Sequence, residues 1–519
     1  MRHVHLCVLP VVLALVSSLP AQRVLRLVHG TRAGATLGVV ARAAGDLDAD
    51  GVSDILLIEQ MVSGVSGTPR LLIVSGTTGA LLRTISGFAF DATGIADVNG
   101  DGRRDFVVAS STSQVFSGAT GAALFPLNPP QLVFGTVADV GDVNGDGRGD
   151  FVSLCTSTQS GQPVVVLFSG NGGGVLAQLP GLFFGGAYLP KVRPIRDVSG
   201  DGRTDVIVSN GNGAIHVCSA NPLQLLRTLQ NPEGGRLGEA IATADVNGDG
   251  IDEVLAKATF GSPGSFEVTA VRAFSATNGA VLHTYFPPPL VAQGLSICRI
   301  GDLDADGADD FATLESTLNN DPGNLVLYSG RGPVLGRIPC DINTPAFPPS
   351  SQHNSYMDQL GDVDGDGFGD FVAAFASSAD GMLGGYRVVS GKILADVVST
   401  GGACGYGPFP VQLGCTRPIL GMTTQVVCRD GPSGVLSTLA MSLQPAVPRY
   451  LGASTCTAAV GPEWSGVFVA TAPSWTFTVA VPPAPDLAGF QVAMQAFYGP
   501  TNGPLGIDLS NGLWAKLGY

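Results

Sequence analysis

The chain is short of charge. Only 13% of its 519 residues are Asp, Glu, Lys or Arg, and just four are lysines. Without a basic tract it has no footprint for a phosphate backbone, which excludes nucleic acid as a partner. No stretch shows the i, i+3, i+4 apolar period of an amphipathic helix. No C-x-x-C pair is present to build a thiolate zinc or redox site. The metalloprotease H-E-x-x-H, the G-x-S-x-G nucleophile turn and the G-x-x-x-x-G-K-[ST] phosphate loop are also missing. Beyond residue 21 no apolar run is long enough to span a membrane. Glycine and proline are plentiful instead, at 72 and 35 residues, a composition suited to short strands joined by tight turns.

One acidic element recurs seven times as D-x-[DNS]-x-D-G-x-x-[DE]: DLDADGVSD, DVNGDGRRD, DVNGDGRGD, DVSGDGRTD, DVNGDGIDE, DLDADGADD and DVDGDGFGD. Oxygen donors at positions 1, 3 and 5 of a tight turn converge on one point, and the Gly at position 6 permits the turn. Hard oxygens at this density suit Ca²⁺, which accepts six to eight of them in flexible geometry. Position 1 is Asp46, Asp97, Asp142, Asp197, Asp245, Asp302 and Asp362. Position 3 is Asp48, Asn99, Asn144, Ser199, Asn247, Asp304 and Asp364. Position 5 is Asp50, Asp101, Asp146, Asp201, Asp249, Asp306 and Asp366. The inward carbonyl at position 7 belongs to Val52, Arg103, Arg148, Arg203, Ile251, Ala308 and Phe368. Position 9 is Asp54, Asp105, Asp150, Asp205, Glu253, Asp310 and Asp370.

An EF-hand would place a bidentate Glu at position 12 and a helix after the loop. Position 12 here carries no carboxylate, and the loops run into ILLI, FVVAS, FVSLC, VIVSN and FVAAF, which read as buried strands. Position 9 must therefore supply the last carboxylate. These ligand positions hold 24 of the 42 acids, and seven calcium ions would almost cancel the net charge of −15. The acidity marks metal sites and says little about partners.

The loops start 45 to 60 residues apart. After each loop and its strand comes a second signature: LLIVSG, SQVFSG, VVVLFSG, AIHVCSA, VRAFSA, LVLYSG and YRVVSG. A turn and a last apolar strand such as LLRTISG follow. Four strands per unit predict a propeller blade, and seven units a seven-bladed calcium-binding β-propeller over residues 22–400. RVLRLVHG (23–30) looks like the final strand of a unit and competes with ILADVVST (393–400) to close the ring.

Residues 1–21 have a short basic start, an apolar core and a small-residue end, the pattern of a secretory signal peptide. The expected location is thus secreted or cell-surface. Eight cysteines follow, an even number that permits disulfides without fixing their pairing. After Thr400 the repeats stop. Strand-like runs between Pro/Gly turns predict a smaller antiparallel β-sandwich over 401–519.

The loops followed by V-x-x-SG signatures resemble FG-GAP or VCBS-type repeats, as in the integrin alpha-subunit propeller. The resemblance covers about residues 23–400 and implies calcium in the loops. It implies no single activity, because that scaffold serves adhesion, enzymes and other roles. The tail, with its LAG…LSNGL ending, resembles β-sandwiches appended to secreted bacterial proteins.

Two functions are open at this stage. One is an extracellular binding or adhesion protein for protein or glycan surfaces, without chemistry of its own. The other is an extracellular carbohydrate-active lyase or hydrolase on the same scaffold. Acids, arginines and aromatics in the central channel favour the enzyme, and small residues favour binding. Outside the loops the acids include Glu59, Asp91, Glu233, Glu239, Glu267 and Glu315, with no evident pair. The Arg148-Gly149-Asp150 tripeptide spells an adhesion motif but belongs to the third loop. The insertion 340–357, with Phe347, His353 and Tyr356, reads as a surface loop.

Overall fold

The computed structural model describes residues 24–517 except 62–64, 88, 130, 183–190, 210–212, 261–267, 288–290, 318–323, 333, 340–356, 376–383, 393–395, 401–411, 416–421, 430–435, 443–444, 451–456, 461–464, 471–473, 482–490, 500–507 and 511. The signal segment, nearly all of the 340–357 insertion, Glu267, Cys340, Cys404 and Cys456 lie outside the described residues. The chain divides into two compact units, one built on residues 22–394 and the other on 395–483 with 490–518.

The first unit is a seven-bladed propeller. Each blade is a four-stranded antiparallel sheet. Blade 1 comprises Ala35–Gly45, Asp54–Met61, Arg70–Val74 and Leu81–Ser86. Blades 2 to 6 begin at Asp91, Leu132, Lys191, Leu237 and Val291 and repeat the same order of strands. Blade 7 takes Met357–Gly361, Asp370–Phe375 and Gly385–Val389 from its own repeat. Its fourth strand is Val24–His29, antiparallel to Gly385–Val389 with Val24 opposite Val389 and His29 opposite Gly385. The N-terminal strand therefore closes the ring. Its rival, Asp396–Thr400, lies within the 22–400 span expected for the propeller but pairs with Gly512–Lys516 in the second unit.

The blades stack because their second strands are apolar on both faces. Asp105–Ala109 and Asp205–Ser209 are buried at every residue. Each apolar cluster between blades draws on two neighbours. Leu47, Leu56, Ile58 and Ile73 of blade 1, for example, pack with Ala92, Phe106 and Val108 of blade 2. Fourth strands are edges and alternate, as Leu81–Ser86 does. The first strands contact the first strands of both neighbouring blades, so they ring the axis.

Arginines clasp successive blades at the rim. Arg26, on the closing strand, donates to Gly76 O at 3.0 Å and Thr77 O at 2.7 Å in blade 1. Arg83 does the same to Ala119 O of blade 2, and Arg227 to Thr277 O and Asn278 O of blade 5.

In the second unit, one sheet holds Asp396–Thr400, Gly512–Lys516, Gln491–Gly499, Leu436–Ser442 and Ser465–Ala470, with Asp508–Leu509 beside Gln491–Gly499. A second holds Gln412–Cys415, Thr423–Arg429 and Trp475–Ala480. Both contribute to one core, where Trp475 Nε1 donates to Tyr498 Oη and Ser437 Oγ at 3.0 Å each. Cys155, Cys218, Cys298 and Cys428 are buried and outside any disulfide, and burial pushes the first two up to about 12. Among the described residues no helix is long and apolar enough to cross a membrane.

Candidate functional site

Each acidic loop joins the first strand of a blade to the second, so all seven lie at the same end of the barrel of first strands. The motif letters have distinct tasks. The position-1 carboxylate accepts the N–H of the position-6 Gly in every loop, at 2.6–3.0 Å. The position-5 carboxylate accepts the position-7 N–H at 2.9–3.1 Å. The position-6 Gly sits at φ of 80–89°, left-handed backbone that a side chain rarely adopts. Position 4 is left-handed as well, and there Ala49 and Ala305 stand where the other loops have Gly.

Position 9 opens the second strand and is buried in all seven copies. Its carboxylate joins two parts of the blade. In the first loop, Asp54 Oδ2 accepts Leu47 N at 2.8 Å and Oδ1 accepts Gly76 N at 3.1 Å. The same pair of bonds recurs at Asp105, Asp150, Asp205, Asp310 and Asp370. Gly76 and its counterparts Gly118, Gly170, Gly330 and Gly391 are the glycines of the second signature; blade 4 has Ala220 there. The preceding serines reach position 5, as Ser117 Oγ does to Asp101 at 3.4 Å and Ser329 Oγ to Asp306 at 3.4 Å. The sequence showed the Ser-Gly pair only as a repeat mark. In the fold it is the second wall of the loop.

Three loops bring carboxylate oxygens within 4.8 Å of one another: Asp46, Asp48 and Asp50; Asp302, Asp304 and Asp306; Asp362, Asp364 and Asp370. Where position 3 is Asn, its amide nitrogen lies between positions 5 and 9. Asn247 Nδ2 is 3.1 Å from Asp249 and 2.9 Å from Glu253. A donor there does what a cation would do, and a bound cation would need the amide turned to present its oxygen. Among the described residues, the carboxylate oxygens Glu253 Oε2 and Asp304 Oδ1 are buried without a hydrogen-bond partner. Orphaned buried oxygens beside further carboxylates fit a hard cation such as calcium. Burial, reinforced by Asp249 and Asp245, raises Glu253 to about 8. Burial likewise raises Asp54 and Asp370 to about 6 against their backbone N–H bonds, and Asp310 well above the usual range.

The loops also touch one another. Arg103 at position 7 donates to Leu47 O of the preceding loop at 3.2 Å, and Arg148 donates to Val98 O. Asp150 of the RGD tripeptide is fully buried on Val143 N and Gly170 N, which removes it from any adhesive surface. His216 packs in its strand with Nδ1 3.0 Å from Thr228 Oγ1.

The first strands enclose a cavity of about 380 Å³ with lining residues from all seven blades. At the register opposite the third residue of each second strand stand Arg42, Thr93, Ala138, Arg193, Ala242, Cys298 and Asp358. The loops repeat one chemistry, whereas this ring carries five residue types over seven blades. Most nearby carboxylates are held by arginines. Arg42 forks onto Asp91 at 3.0 and 3.3 Å. Arg196 reaches Asp252 at 2.6 Å and Asp309 at 3.4 Å, and Arg299 reaches Asp309 at 2.9 Å. Asp252 and Asp309 occupy position 8 of their loops, a place the motif leaves open. Among the described residues the lining contains no aromatic side chain. Of the other acids outside the loops, Glu59 is clamped by Arg32 and Arg70, Glu239 by Arg236 and Lys257, and Glu315 by Tyr328. Glu233 pairs with Arg272.

Residues 197–256 match the model of the FG-GAP-like repeat family. No curated protein matches the chain. Among solved structures, two of BBS1N in complex with ARL6DN are similar. The mercury-soaked one is 10% identical with a TM-score of 0.44, covering 72% of this chain and 97% of that one. The lead-soaked one is 10% identical with a TM-score of 0.42, covering 69% and 98%.

Proposed function

We propose that this chain, an FG-GAP-like repeat propeller of seven blades, is a secreted calcium-stabilised binding protein. Its targets would be extracellular protein or glycan surfaces, and the scaffold would work without chemistry of its own. The observation that carries the calcium reading is the pair of orphaned buried oxygens, Glu253 Oε2 and Asp304 Oδ1, inside loops built from oxygen donors. With calcium bound, the side chains at positions 1, 3, 5 and 9 and the position-7 carbonyl would hold it. The ion would brace the turn between first and second strands. Millimolar extracellular calcium suits sites of this class: with a Kd of about 0.1 mM and roughly 2 mM ion, each gains about 1.8 kcal/mol.

Binding without catalysis is favoured by how the channel acids are used. Asp91, Asp252 and Asp309 each hold a guanidinium, so they brace neighbouring blades. The charged lining also keeps the carbohydrate-active enzyme as a second reading. Calorimetry with and without EDTA tests the calcium role; a propeller transition that stays in place would sink it. A glycan array and a polysaccharide-degradation assay separate the two functions. Release of reducing ends from any polysaccharide would overturn the binding reading.

A further inference from the structure

The acidic motif leaves position 8 open, and the chain fills it with Ser53, Arg104, Gly149, Thr204, Asp252, Asp309 and Gly369. Only the fifth and sixth loops put an acid there. Both acids are buried, and both bond to the preceding loop. Asp252 Oδ2 accepts Arg196 N, just before the fourth loop, at 3.1 Å. Asp309 Oδ2 accepts the N–H of Asp245, position 1 of the fifth loop, at 2.9 Å. Asp309 N in turn donates to Asp245 O at 2.7 Å. Asp309 thus holds both backbone groups of one proposed calcium ligand, in the fifth loop. The residue after it, Asp310, is a proposed ligand of the sixth. Arg299 Nη2 fixes the Asp309 carboxylate at 2.9 Å.

The fifth and sixth loops also meet backbone to backbone. A Cβ on Gly248, position 4 of the fifth loop, would lie 2.5 Å from Gly307 O in the sixth. The alanine that serves at position 4 in the first and sixth loops would not fit here. A Cβ on Gly330, in the second signature of blade 6, would lie 2.9 Å from Val246 O of the fifth loop. Among the described residues, a Cβ at the position-4 glycines of the second, third, fourth and seventh loops would meet no backbone atom within 4 Å. The pair joined in this way also holds the two orphaned oxygens, Glu253 Oε2 in the fifth loop and Asp304 Oδ1 in the sixth. Tyr285 stands beside both loops. Its Oη donates to Gly330 O, and burial first, then the carboxylates of Asp310, Glu253 and Asp306, raises its hydroxyl.

We propose that the fifth and sixth loops form a coupled calcium pair, in which Asp309 is the positioning residue that makes an ion in either loop favour an ion in the other. The proposal rests on the calcium reading above. A metal-free loop crowds carboxylates that repel one another, and binding must order them. An ion in the sixth loop fixes Asp310 and, next to it, Asp309. Asp309 then holds Asp245 in place, so the second ion meets a loop whose ordering cost is already met. Linkage makes the effect reciprocal, and coupling of this kind is typically about 5–150-fold. Charge opposes it, because a filled loop draws a second ion less. Salt screens that opposition over about 8 Å at 0.15 M and leaves the backbone link intact.

The test is a terbium(III) titration of the metal-free full chain in about 0.15 M salt. Terbium stands in for calcium at oxygen sites, and its emission is read under tyrosine excitation because Tyr285 adjoins both loops. Two equal sites coupled about 5–150-fold give a Hill coefficient of about 1.4–1.9. Glu253→Gln disables the fifth loop and Asp306→Asn the sixth. Each should leave a one-site curve with its midpoint about 2–12-fold higher, the square root of the coupling. Asp309→Ala should fill both loops with a coefficient of 1 or less. Arg104→Ala, which removes the position-8 side chain of the second loop, should keep the wild-type slope. Melting curves show which variants fold. If Asp309→Ala does not fold, the two ligand variants still decide, and unchanged midpoints in both overturn the proposal. A wild-type coefficient of 1 or less overturns it, as does a slope kept in Asp309→Ala or lost equally in Arg104→Ala. Independent filling sinks the coupling alone, whereas no terbium emission and no calcium binding heat sink the calcium reading with it.

Discussion

Calcium entering the fifth loop should expel a proton. Glu253 is the one Glu at position 9, and its side chain is buried beside Asp249 and Asp245. Burial first, then those two carboxylates, raises it from 4.5 to about 8 in the metal-free fold. A group of pKa about 8 is roughly 90% protonated at pH 7, and a metal takes only the ionised form. Binding at this loop should therefore release about 0.9 proton at pH 7 and about 0.1 at pH 9. Proton competition should weaken the site about 100-fold at pH 6 and hardly at all at pH 9. The same shift has a consequence for folding. The folded pKa lies above the unfolded value, so between about pH 4.5 and 8 the fold keeps a proton the unfolded chain has lost. Metal-free stability should fall as pH rises through that window, and calcium should cancel the fall. Asp310 acts in the same direction, and Asp54 and Asp370, at about 6, add little at pH 7. Calcium titrations in two buffers of equal pH and different ionisation enthalpy count the protons released. Glu253→Gln should remove this site's share. Buffer-independent heat at pH 7, with an affinity flat from pH 6 to 9, would refute the reasoning.

Four other outcomes are expected. Gly118→Ala puts a Cβ 1.9 Å from Arg104 O and must push the second signature off its loop, so chemical denaturation should show a loss of about 1–3 kcal/mol. Ala305→Gly, at φ 58° in the sixth loop, should raise stability by up to about 1 kcal/mol, because glycine adopts that backbone freely. Removing residues 24–29 strips blade 7 of its fourth strand and blade 1 of the Arg26 clasp, so it should lower the propeller's melting temperature more than Gly118→Ala does. A fragment starting at Ala395 should melt higher than one starting at Gly401, because the shorter one lacks the edge strand Asp396–Thr400; equal melting would move the boundary.

Repetition made the propeller legible. The loop motif states its own geometry, since Gly at position 6 needs positive φ and the acids need one centre. The apolar runs after each loop could only be strands buried on both faces. Ring closure was harder to read because VLRLVH and DVVST have the same strand character. What separates them is the pairing partner, Gly385–Val389 for one and Gly512–Lys516 for the other, and the alternation within a strand carries no record of its partner. The Ser-Gly signature was visible as a pattern, but its role was not. The contact between Gly118 N and Asp105 spans 13 residues and exists only once the third strand turns back onto the loop.

The axis was the least readable region, for a physical reason. The loops look alike in all seven repeats because each solves the same local problem, and a local problem leaves its solution in consecutive residues. The cavity ring takes one residue from each repeat, so Arg42 and Asp358 lie 316 positions apart in sequence and yet line one space. Nothing in a single repeat marks such a residue. What marks the ring is a register that is not uniform: Arg in two blades, Ala in two, and Asp, Thr and Cys in one each. Stacking alone would be served by the same small residue seven times. Part of that asymmetry serves the fold itself, since Arg42 of blade 1 forks onto Asp91 of blade 2. The variation across equivalent positions becomes visible only once the register of the first strands is known.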